Sequence, residues 1–312
     1  MELYSIVTPL NIRGKILNRL IIGLTTKGCE YARTKGGCSM CGFMKYADKD
    51  VTDRQIIDQF EKTLEMNDLN ALQAIEIYNG GSFLNDNEIS SEVRRTLLEK
   101  ISEIPSIERV FIESRPEYIN AEKLLQCRQW AGDKEIEVGI GLESSDDYIR
   151  NILIRKNMPE KDFIRAVEEM SKAKCDLFVY LLIKPPGLTE KQAIEDSVNS
   201  ASYVFGIARR CKINARVGLE PVFVPSNTPL ENMFEDKEYE LLNLWSLIDI
   251  IRRVHKLGNV HVGLDDEGLS QGRMPYSCEN CYEKLLDEIT IFNKTQSFAN
   301  LDSFDCDCRN AG

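Results

Sequence analysis

The chain has few histidines and no long apolar run. Only 2 histidines stand against 10 cysteines among the 312 residues, so clustered metal ligands have to be sought among the cysteines. No apolar stretch approaches the roughly 18 residues that cross a bilayer. The first four residues, Met1 to Tyr4, lack the basic region and the apolar stretch of a secretory signal. We therefore expect a cytoplasmic protein that has no membrane contact.

The chain also lacks an excess of positive charge, since 50 acidic residues outnumber 39 lysines and arginines. The formal net charge is −11, which argues against a protein that binds nucleic acid on its own, because the phosphate backbone is bound through lysine and arginine. The first 50 residues are the exception, with 8 basic and 4 acidic side chains. Acidic residues predominate between residues 231 and 270, and we expect that segment to be solvated or to face another protein.

Strand-like runs alternate with helix-like stretches over most of the chain. This alternation predicts parallel βαβ units with right-handed crossovers. No glycine-rich phosphate loop follows the first run, and six units are too few for a closed eight-stranded barrel. We therefore predict an α/β fold, a partial (β/α)6 TIM-like barrel with its chemistry at the carboxyl ends of the strands. The six predicted strands are 19–26, 73–79, 107–113, 135–142, 176–184 and 213–222.

The pattern changes after about residue 225, which predicts two parts. Residues 1–225 form the predicted barrel, and residues 226–312 form a small cysteine-rich extension. In the extension, 239–256 reads as one helix, 260–264 as a short strand and 282–293 as a second helix. His255 and His261 lie in these elements, and we expect them to be structural.

The first cysteine cluster follows the first predicted strand directly. Cys29, Cys38 and Cys41 are spaced Cys-x8-Cys-x2-Cys. Three thiolates on one loop can bind three irons of a 4Fe–4S cluster and leave the fourth iron open. A structural zinc site needs a fourth ligand. None lies nearby in sequence, although a distant residue could supply one, so both interpretations stand at this point.

This loop resembles a known family. Residues 28–33 (GCEYAR) and 36–43 (GGCSMCGF) are similar to the radical S-adenosylmethionine (SAM) enzymes of the Elongator-type branch. In particular they resemble the radical SAM subunit of archaeosine synthase and its uncharacterised bacterial relatives, since the eight-residue gap marks this branch. The resemblance implies the radical SAM type of barrel, a 4Fe–4S cluster, SAM bound to its open iron, and an electron donor such as flavodoxin or ferredoxin. It also places Met40 where many relatives carry an aromatic residue against adenine.

The predicted strand ends carry further segments that are similar to motifs of this family. Gly80, Gly81 and Ser82 resemble the Gly-Gly-Glu motif that binds the SAM amino group, with serine in place of the acid. Glu113 and Arg115 resemble the family's Glu-Thr-Arg-Pro-Asp segment and could face the pocket. An ordinary glycine turn and a structural Glu113–Arg115 pair are the respective alternatives.

Three later residues extend this predicted SAM site. Glu143, in a Gly-x-Gly-x-Glu segment, could accept hydrogen bonds from the ribose hydroxyls. Arg155, followed by Lys156, could pair with the SAM carboxylate or an anionic substrate, or could simply begin a solvated helix. Glu220 lies in a segment that resembles the family's final strand, beside the adenine.

Two further groups are candidates for metal or substrate. Lys184, Asp265 and Asp266 are candidates for substrate contact or catalysis, and a solvated loop is the alternative for the two aspartates. The second cysteine cluster supplies four thiols in two close pairs, which suit a tetrahedral zinc site or an auxiliary 4Fe–4S cluster. Its members are Cys278, Cys281, Cys306 and Cys308. The isolated Cys127, Cys175 and Cys211 are expected to be small buried hydrophobes.

The family resemblance implies a specific reaction, and two alternative functions remain open. It implies radical cleavage of a C–N bond in a lysine-modified 7-deazaguanine of tRNA, leaving an amidine, with a partner subunit that binds the tRNA. An acidic chain without an evident RNA module would need such a partner. One alternative is a radical SAM enzyme of a bacterial biosynthetic pathway that acts on a small molecule or a peptide. The other is a non-catalytic zinc protein in which both clusters are structural.

Overall fold

A single sheet of eight strands organises the molecule. The computed structural model describes residues 4–298, 304 and 306–310, and within them the strand order is β1-β2-β3-β4-β5-β6-β7-β8. The strands are β1 (Tyr4–Ile12), β2 (Lys15–Gly23), β3 (Ala74–Tyr78), β4 (Arg109–Glu113), β5 (Glu135–Glu143), β6 (Asp176–Ile183), β7 (Ala215–Pro221) and β8 (Asn259–Val262). The helices are α1 (Glu30–Lys35), α2 (Asp53–Glu65), α3 (Ser91–Ser102), α4 (Ala121–Ala131), α5 (Glu160–Lys172), α6 (Glu190–Cys211), α7 (Pro229–Glu235), α8 (Leu244–Val254) and α9 (Tyr282–Thr295).

The predicted α/β, TIM-like architecture is confirmed. Strands β2 to β8 run parallel and form a nearly closed barrel. The six predicted strands correspond to β2 to β7, and the predicted short strand of the extension is β8, which pairs with β7. The division at residue 225 stays a prediction, since no independent observation tests it. No described helix is both long and apolar enough to cross a bilayer.

Strand β1 was not predicted, and a tight turn explains why it forms. It pairs antiparallel with β2, with Ile12 opposite Lys15. The two intervening residues, Arg13 and Gly14, have φ values of 52° and 85°. A two-residue turn with both φ values positive matches the twist of paired strands, so β1 folds back directly onto β2.

Helix α9 lies along the open side of the barrel and contacts both edge strands. The Asn11 side chain of β1 donates to the carbonyl of Lys294 at 2.6 Å. On β8, the Asn293 carboxamide accepts from Val262 N and donates to Val262 O, each at 2.9 Å. Gln296, just after α9, bonds the backbone of Val260 in the same way. The edge of β8 is thus satisfied by carboxamides instead of by another strand.

The predicted helix at 239–256 was wrong at its beginning. Helix α8 begins at Leu244, because the Asn243 side chain accepts from Trp245 N at 2.9 Å and caps the first turn. The preceding backbone pairs with another segment instead, since Tyr276 N donates to Leu242 O at 3.0 Å. Residues 229–235 form the separate helix α7.

A layer of charged side chains closes the amino-terminal half of the barrel interior. Arg216 Nη2 lies 2.6 Å from a Glu137 oxygen, and Arg19 Nη1 lies 2.9 Å from Glu76. Arg109 contacts Glu137 at 3.3 Å and Asp176 at 2.7 Å. The layer contains three arginines and three acids, so its charges offset one another, and all of them except Asp176 are buried.

An aromatic layer lies directly above these charges. The rings of Tyr78, Phe111 and Phe178 pack with centroids 5.4 and 5.7 Å apart, and the guanidinium of Arg216 lies 4.2 Å from the Phe178 centroid. His261 projects into the charged layer, with Nε2 3.4 Å from Arg19 Nη2, and burial lowers its pKa. The charged and aromatic side chains therefore fill the amino-terminal half of the barrel, and the free interior opens at the carboxyl ends of the strands.

Candidate active site

The first cysteine loop lies at the carboxyl end of β2, over the open end of the barrel. Cys29 precedes α1, and the chain then turns through Gly36 and Gly37, whose φ values are 89° and 73°. A side chain would be strained at these two positions. Ser39 anchors the far side of the loop, since its amide donates to Ile154 O at 2.9 Å and its hydroxyl to Leu153 O at 3.0 Å.

Burial and nearby cations act in opposite directions on the three thiols of this loop, and burial has the larger effect. Burial raises the pKa of Cys29 and Cys38, and it raises the pKa of Cys41 to about 12. Against burial, the cations of Arg115 and Lys156 lower the pKa of both Cys29 and Cys38. Metal coordination deprotonates thiols, and these cations would offset the charge that then arises.

The three sulfurs are not spaced like the ligands of one ion. Among the described residues, a single group of three or more His, Cys, Asp or Glu side chains has all its ligand atoms within 4.8 Å, and it lies elsewhere. The loop of Cys29, Cys38 and Cys41 therefore offers no compact tetrahedral site. Wider spacing suits ligands that bind different atoms of a cluster.

The Gly80-Gly81-Ser82 turn is linked to this loop by a residue that the sequence analysis missed. The buried Glu88 accepts hydrogen bonds from the amides of Ser82 and Glu30, the latter at 2.8 Å. A Cβ at Gly81 would overlap the Glu88 carboxylate and lie 3.2 Å from Cys29 Cα. Glu88 thus holds the turn against the cysteine loop, and the only sequence signal for it is an acid six residues beyond Ser82.

Glu113 and Arg115 are not paired with each other. Arg115 binds Glu117 at 2.6 Å and donates to the carbonyls of Lys156 and Asn157 at 3.2 Å. Burial raises the pKa of Glu113 to about 8, and among the neighbouring charges Glu267 raises it further. The alternative of a structural Glu113–Arg115 pair is therefore not what the structure contains.

Glu143 and Lys156 form a buried ion pair beside the cysteine loop. The Lys156 ammonium lies 2.6 Å from a Glu143 oxygen, and a Cβ at Gly141 would lie 2.6 Å from Lys156 Nζ. Burial lowers the pKa of Lys156, and Glu143 more than reverses this. Arg155 is exposed, and its carbonyl accepts from the Tyr31 hydroxyl at 2.6 Å. Of Arg155 and Lys156, it is thus Lys156 whose charge acts on the cysteines, as that of Arg115 does.

Three further side chains that the sequence predicts for the site lie on separate strands and loops. Glu220 faces the barrel interior, and burial with the nearby Glu143 and Glu267 raises its pKa to about 8. Met40 packs with an apolar cluster that includes Leu230. Lys184 contacts Glu190 at 2.8 Å and the Leu241 carbonyl at 3.2 Å.

The two aspartates after β8 shape their own loop. Asp266 accepts from the amides of Gly268 and Ser270 at 3.1 and 2.8 Å. Asp265 accepts from the amide of Glu267 at 2.7 Å. Glu267 is the residue of this run whose charge raises the pKa of Glu113 and Glu220, in addition to the effect of burial.

The second cysteine cluster forms a compact group of sulfurs. Cys278 Sγ lies 3.4 Å from the sulfurs of Cys281 and Cys306, and Cys281 Sγ lies 3.4 Å from that of Cys308. All four sulfurs lie within 4.8 Å of one another. Trp245 stacks on Phe304 beside them, with ring centroids 5.5 Å apart.

Comparison with known proteins identifies relatives that match most of the chain. It is 30% identical to the archaeosine synthase subunit beta of Methanosarcina acetivorans, over 96% of this chain and 85% of the relative. The subunit of the same name from Thermococcus kodakarensis is 30% identical over 96% and 92%. An uncharacterised protein of Methanocaldococcus jannaschii is 34% identical over 93% and 80%. No family model matches the chain.

Two solved structures share the fold. The Elp3 protein of Methanocaldococcus infernus aligns with a TM-score of 0.54 and 17% identity, over 89% of this chain and 63% of that chain. Methylornithine synthase (PylB) aligns with a TM-score of 0.53 and 14% identity, over 91% and 85%. The likeness in both extends over most of this chain.

Proposed function

Because the chain belongs to the archaeosine synthase subunit beta family of radical SAM enzymes, we propose that Cys29, Cys38 and Cys41 hold a 4Fe–4S cluster that cleaves SAM. The observation that carries this proposal is the set of three half-buried thiols at the barrel opening, whose sulfurs do not all lie within 4.8 Å of one another. When bound, such a cluster supplies the electron that splits SAM into methionine and a 5′-deoxyadenosyl radical.

The residues around the loop form the proposed SAM site. The carbonyls of Gly80 and Gly81 and the carboxylate of Glu113 would bind the SAM amino group. Arg115 and Lys156 are the cations nearest to the cysteines, and they would bind the SAM carboxylate. The Ser82 hydroxyl is proposed to join those carbonyls at the amino group. Further contacts to the ribose and adenine are proposed for Glu143, Glu220 and Met40.

The substrate we propose is a lysine-modified 7-deazaguanine in tRNA, in which a C–N bond is broken and an amidine remains. The names of the two curated relatives support this assignment, because both are called archaeosine synthase. Both names also specify a subunit, which supports a partner protein. A net charge of −11 supports a division of labour in which the partner binds the tRNA.

Substitution of the cysteines tests this function. We expect Cys38→Ala and Cys41→Ala to reduce the formation of 5′-deoxyadenosine from SAM and a reductant to background, because each removes an iron ligand. The assay is run under anaerobic conditions after cluster reconstitution, and circular dichroism checks that the fold is retained. Cys211→Ala is the matched control, since Cys211 lies at the end of α6, and it should keep full activity. Retained cleavage in Cys38→Ala and Cys41→Ala would contradict the cluster assignment.

The same preparations test the substrate. With SAM, a reductant, the partner subunit and tRNA that carries the lysine adduct, the wild-type protein should convert the adduct to the amidine, and the cysteine variants should not. Mass spectrometry of the digested tRNA measures the conversion. Cleavage of SAM by the wild type without conversion of the adduct would retain the radical SAM assignment and exclude this substrate.

The second cysteine cluster is proposed to bind one zinc ion. Zinc–sulfur bonds of about 2.3 Å place tetrahedral ligands about 3.8 Å apart, which the 3.4 Å contacts among Cys278, Cys281, Cys306 and Cys308 approach. An auxiliary cluster binds each sulfur to a different iron and would hold the sulfurs farther apart. We expect four irons and one zinc per chain by metal analysis after reconstitution. Eight irons without zinc would contradict this assignment.

A further inference from the structure

The eight basic side chains of the first 50 residues fall into two groups. Three of them form ion pairs near the amino-terminal end of the barrel, namely Arg13, Lys15 and Arg19. The other five lie between residues 27 and 49, in the segment that carries the cysteine loop, and none of them forms an ion pair within the described residues. They are Lys27, Arg33, Lys35, Lys45 and Lys49. The positive charge that is left without a partner thus belongs to the barrel opening.

Three exposed cations of this opening, Arg33, Lys35 and Arg155, form what we call the basic rim. Arg33 and Lys35 lie in the last turn of α1. Tyr31 joins this helix to Arg155, because it lies on the same face of α1 as Lys35, one turn earlier, and its hydroxyl donates to the Arg155 carbonyl at 2.6 Å. The carboxyl end of a helix favours cations, which accounts for the two residues of α1 but not for Arg155.

The basic rim borders the proposed SAM site. The guanidinium of Arg115 lies 4.5 Å from the centroid of the Tyr31 ring. Tyr31 therefore contacts Arg115 through its ring and the backbone of Arg155 through its hydroxyl. Arg155 has a φ of 58°, a conformation that costs a non-glycine residue free energy and that its surroundings must hold. An anion on the basic rim would lie next to the cofactor site and outside it.

The acids of the two segments that carry the basic rim are engaged with other groups. Glu30 accepts hydrogen bonds from two asparagine side chains at 2.7 and 3.2 Å. Asp147 binds the buried Arg150 at 2.6 Å, and Asp146 accepts from two amides of the following turn at 2.9 and 3.0 Å. In the part of the chain that the structure describes, the three cations of the basic rim have no carboxylate partner.

An exposed aromatic residue lies in the turn beside these cations. Tyr148 is 61% exposed, and Ile152, four residues later, is 59% exposed. The Lys156 amide donates to the Arg150 carbonyl at 3.0 Å, which folds Arg155 back against this turn. Lysine and arginine side chains that follow phosphates, together with exposed aromatic rings on which bases stack, are typical of surfaces that bind single-stranded nucleic acid.

We infer that the basic rim binds the phosphates of RNA nucleotides that flank the modified nucleotide, and that a neighbouring base stacks on Tyr148. The inference rests on the proposed function and names the surface of this chain that contacts the RNA. Chemistry on a base requires the base to leave its stack and to enter the pocket, so the flanking phosphates come to lie at the barrel opening. A few such contacts add little affinity, which agrees with a partner subunit that binds the rest of the tRNA.

Neutral substitutions in the basic rim test this inference. Labelled tRNA is titrated with the reconstituted, SAM-loaded full chain, and fluorescence anisotropy measures Kd at several salt concentrations. We expect the triple variant Arg33→Gln/Lys35→Gln/Arg155→Gln to bind at least about tenfold more weakly. The slope of log Kd against log salt concentration should fall by about 2, because each phosphate contact contributes about 0.7 to 0.9. Circular dichroism and iron content check that the variant is folded and loaded.

A second triple variant and a second probe serve as controls. Lys62→Gln/Lys161→Gln/Lys191→Gln removes the same charge from exposed positions on α2, α5 and α6, and it should leave both Kd and the slope unchanged. Polyglutamate is an anionic polymer that has neither phosphates nor bases. Tyr148→Ala should weaken the binding of tRNA by at least about fivefold and should not change the binding of polyglutamate.

The outcomes separate the basic rim from the proposed function. An equal loss of tRNA binding in the two triple variants overturns the inference, because net charge alone would then account for binding, and so does an absence of binding by the wild type at low salt. Polyglutamate that binds the wild type as tightly as tRNA does also overturns it, and would assign this surface to an acidic protein. A lower affinity of Arg155→Gln for SAM would overturn it by placing Arg155 in the cofactor site. Reductive SAM cleavage by the wild type, measured without RNA, tests the proposed function alone.

Discussion

At the scale of single residues, two strand ends have backbone conformations that are held by ion pairs. Glu143, the last residue of β5, has a φ of 67°, and Lys184, directly after β6, has a φ of 60°. Such conformations cost non-glycine residues roughly 1–3 kcal/mol and persist where the surroundings impose them. Lys156 binds the side chain of Glu143, and Glu190 binds that of Lys184. The exits of two strands at the barrel opening thus depend on side-chain charges.

The Glu143–Lys156 pair gives a residue-scale prediction. Lys156→Gln leaves the Glu143 carboxylate nearly buried without its cation, so the free energy of unfolding should fall by about 3 kcal/mol. The affinity for SAM should fall too, because a cation beside Cys38 is lost. Urea denaturation and calorimetric titration with SAM measure the two effects.

Lys161→Gln is the control for this substitution. Lys161 is exposed on α5, and its loss should change stability by less than about 0.5 kcal/mol. If Lys156→Gln changes the free energy of unfolding and the affinity for SAM as little as the control does, the Glu143–Lys156 pair contributes little to stability or to SAM binding.

At the scale of elements, helix α9 replaces a strand at the edge of the barrel. Its Asn293 carboxamide makes two 2.9 Å hydrogen bonds to the backbone of Val262 in β8, and its carbonyl at Lys294 accepts from β1. The helix therefore joins the two ends of an otherwise open sheet. The predicted extension contributes both α9 and β8, so the barrel depends on residues that lie far from it in sequence.

This role predicts the effect of a substitution in α9. Asn293→Leu leaves the amide and carbonyl of Val262 without partners, and the free energy of unfolding should fall by about 2 kcal/mol. The Val262 amide should also exchange its hydrogen faster, which hydrogen–deuterium exchange with mass spectrometry detects. Lys294→Leu is the control on the same helix, since the Lys294 side chain is exposed. Unchanged exchange at β8 in Asn293→Leu would show that α9 does not hold the strand.

At the scale of the whole molecule, the acids of the barrel link stability to pH. The pKa is raised to about 8 for Glu113 and Glu220 and to about 7 for Glu267, mainly by burial. The folded protein therefore holds protons that the unfolded chain releases near pH 4.5. This stabilisation is complete at low pH and is lost as the pH rises through 7 and 8. Burial lowers the pKa values of His255 and His261. These two histidines therefore reduce the stability of the folded protein as the pH falls, and only at lower pH.

We therefore expect the stability of the metal-loaded protein to fall between pH 7 and pH 9. Glu220→Gln removes one of the titrating groups. Between pH 7 and pH 9, the unfolding free energy of the wild type should therefore fall by about 1 kcal/mol more than that of the variant. Urea denaturation at several pH values measures it. Parallel pH profiles for the two proteins would mean that Glu220 does not titrate in this range.

Short sequence patterns were sufficient to predict the class of fold and part of the candidate site. Cys29, Cys38 and Cys41 lie within 13 residues of each other, so their spacing alone predicts a shared metal site, and the alternation of strands and helices predicts a parallel barrel. Both signals reside in short stretches of chain, where spacing and periodicity translate directly into geometry. The family resemblance rests on the same short segments and extends to the strand-end motifs.

Tertiary structure decided which side chains meet. Neither the role of Glu88 against the cysteine loop nor the choice of Lys156 over Arg155 follows from spacing, because each depends on how separate loops turn over the barrel. The effect of the Glu267 charge on the pKa of Glu220 and the closure of the sheet by α9 both depend on segments that are remote in sequence. Sequence by itself determined the class of fold, and it predicted Cys29, Cys38 and Cys41 as the ligands of a metal centre. The charge around that loop depends on strand register and on burial, which only the folded chain defines.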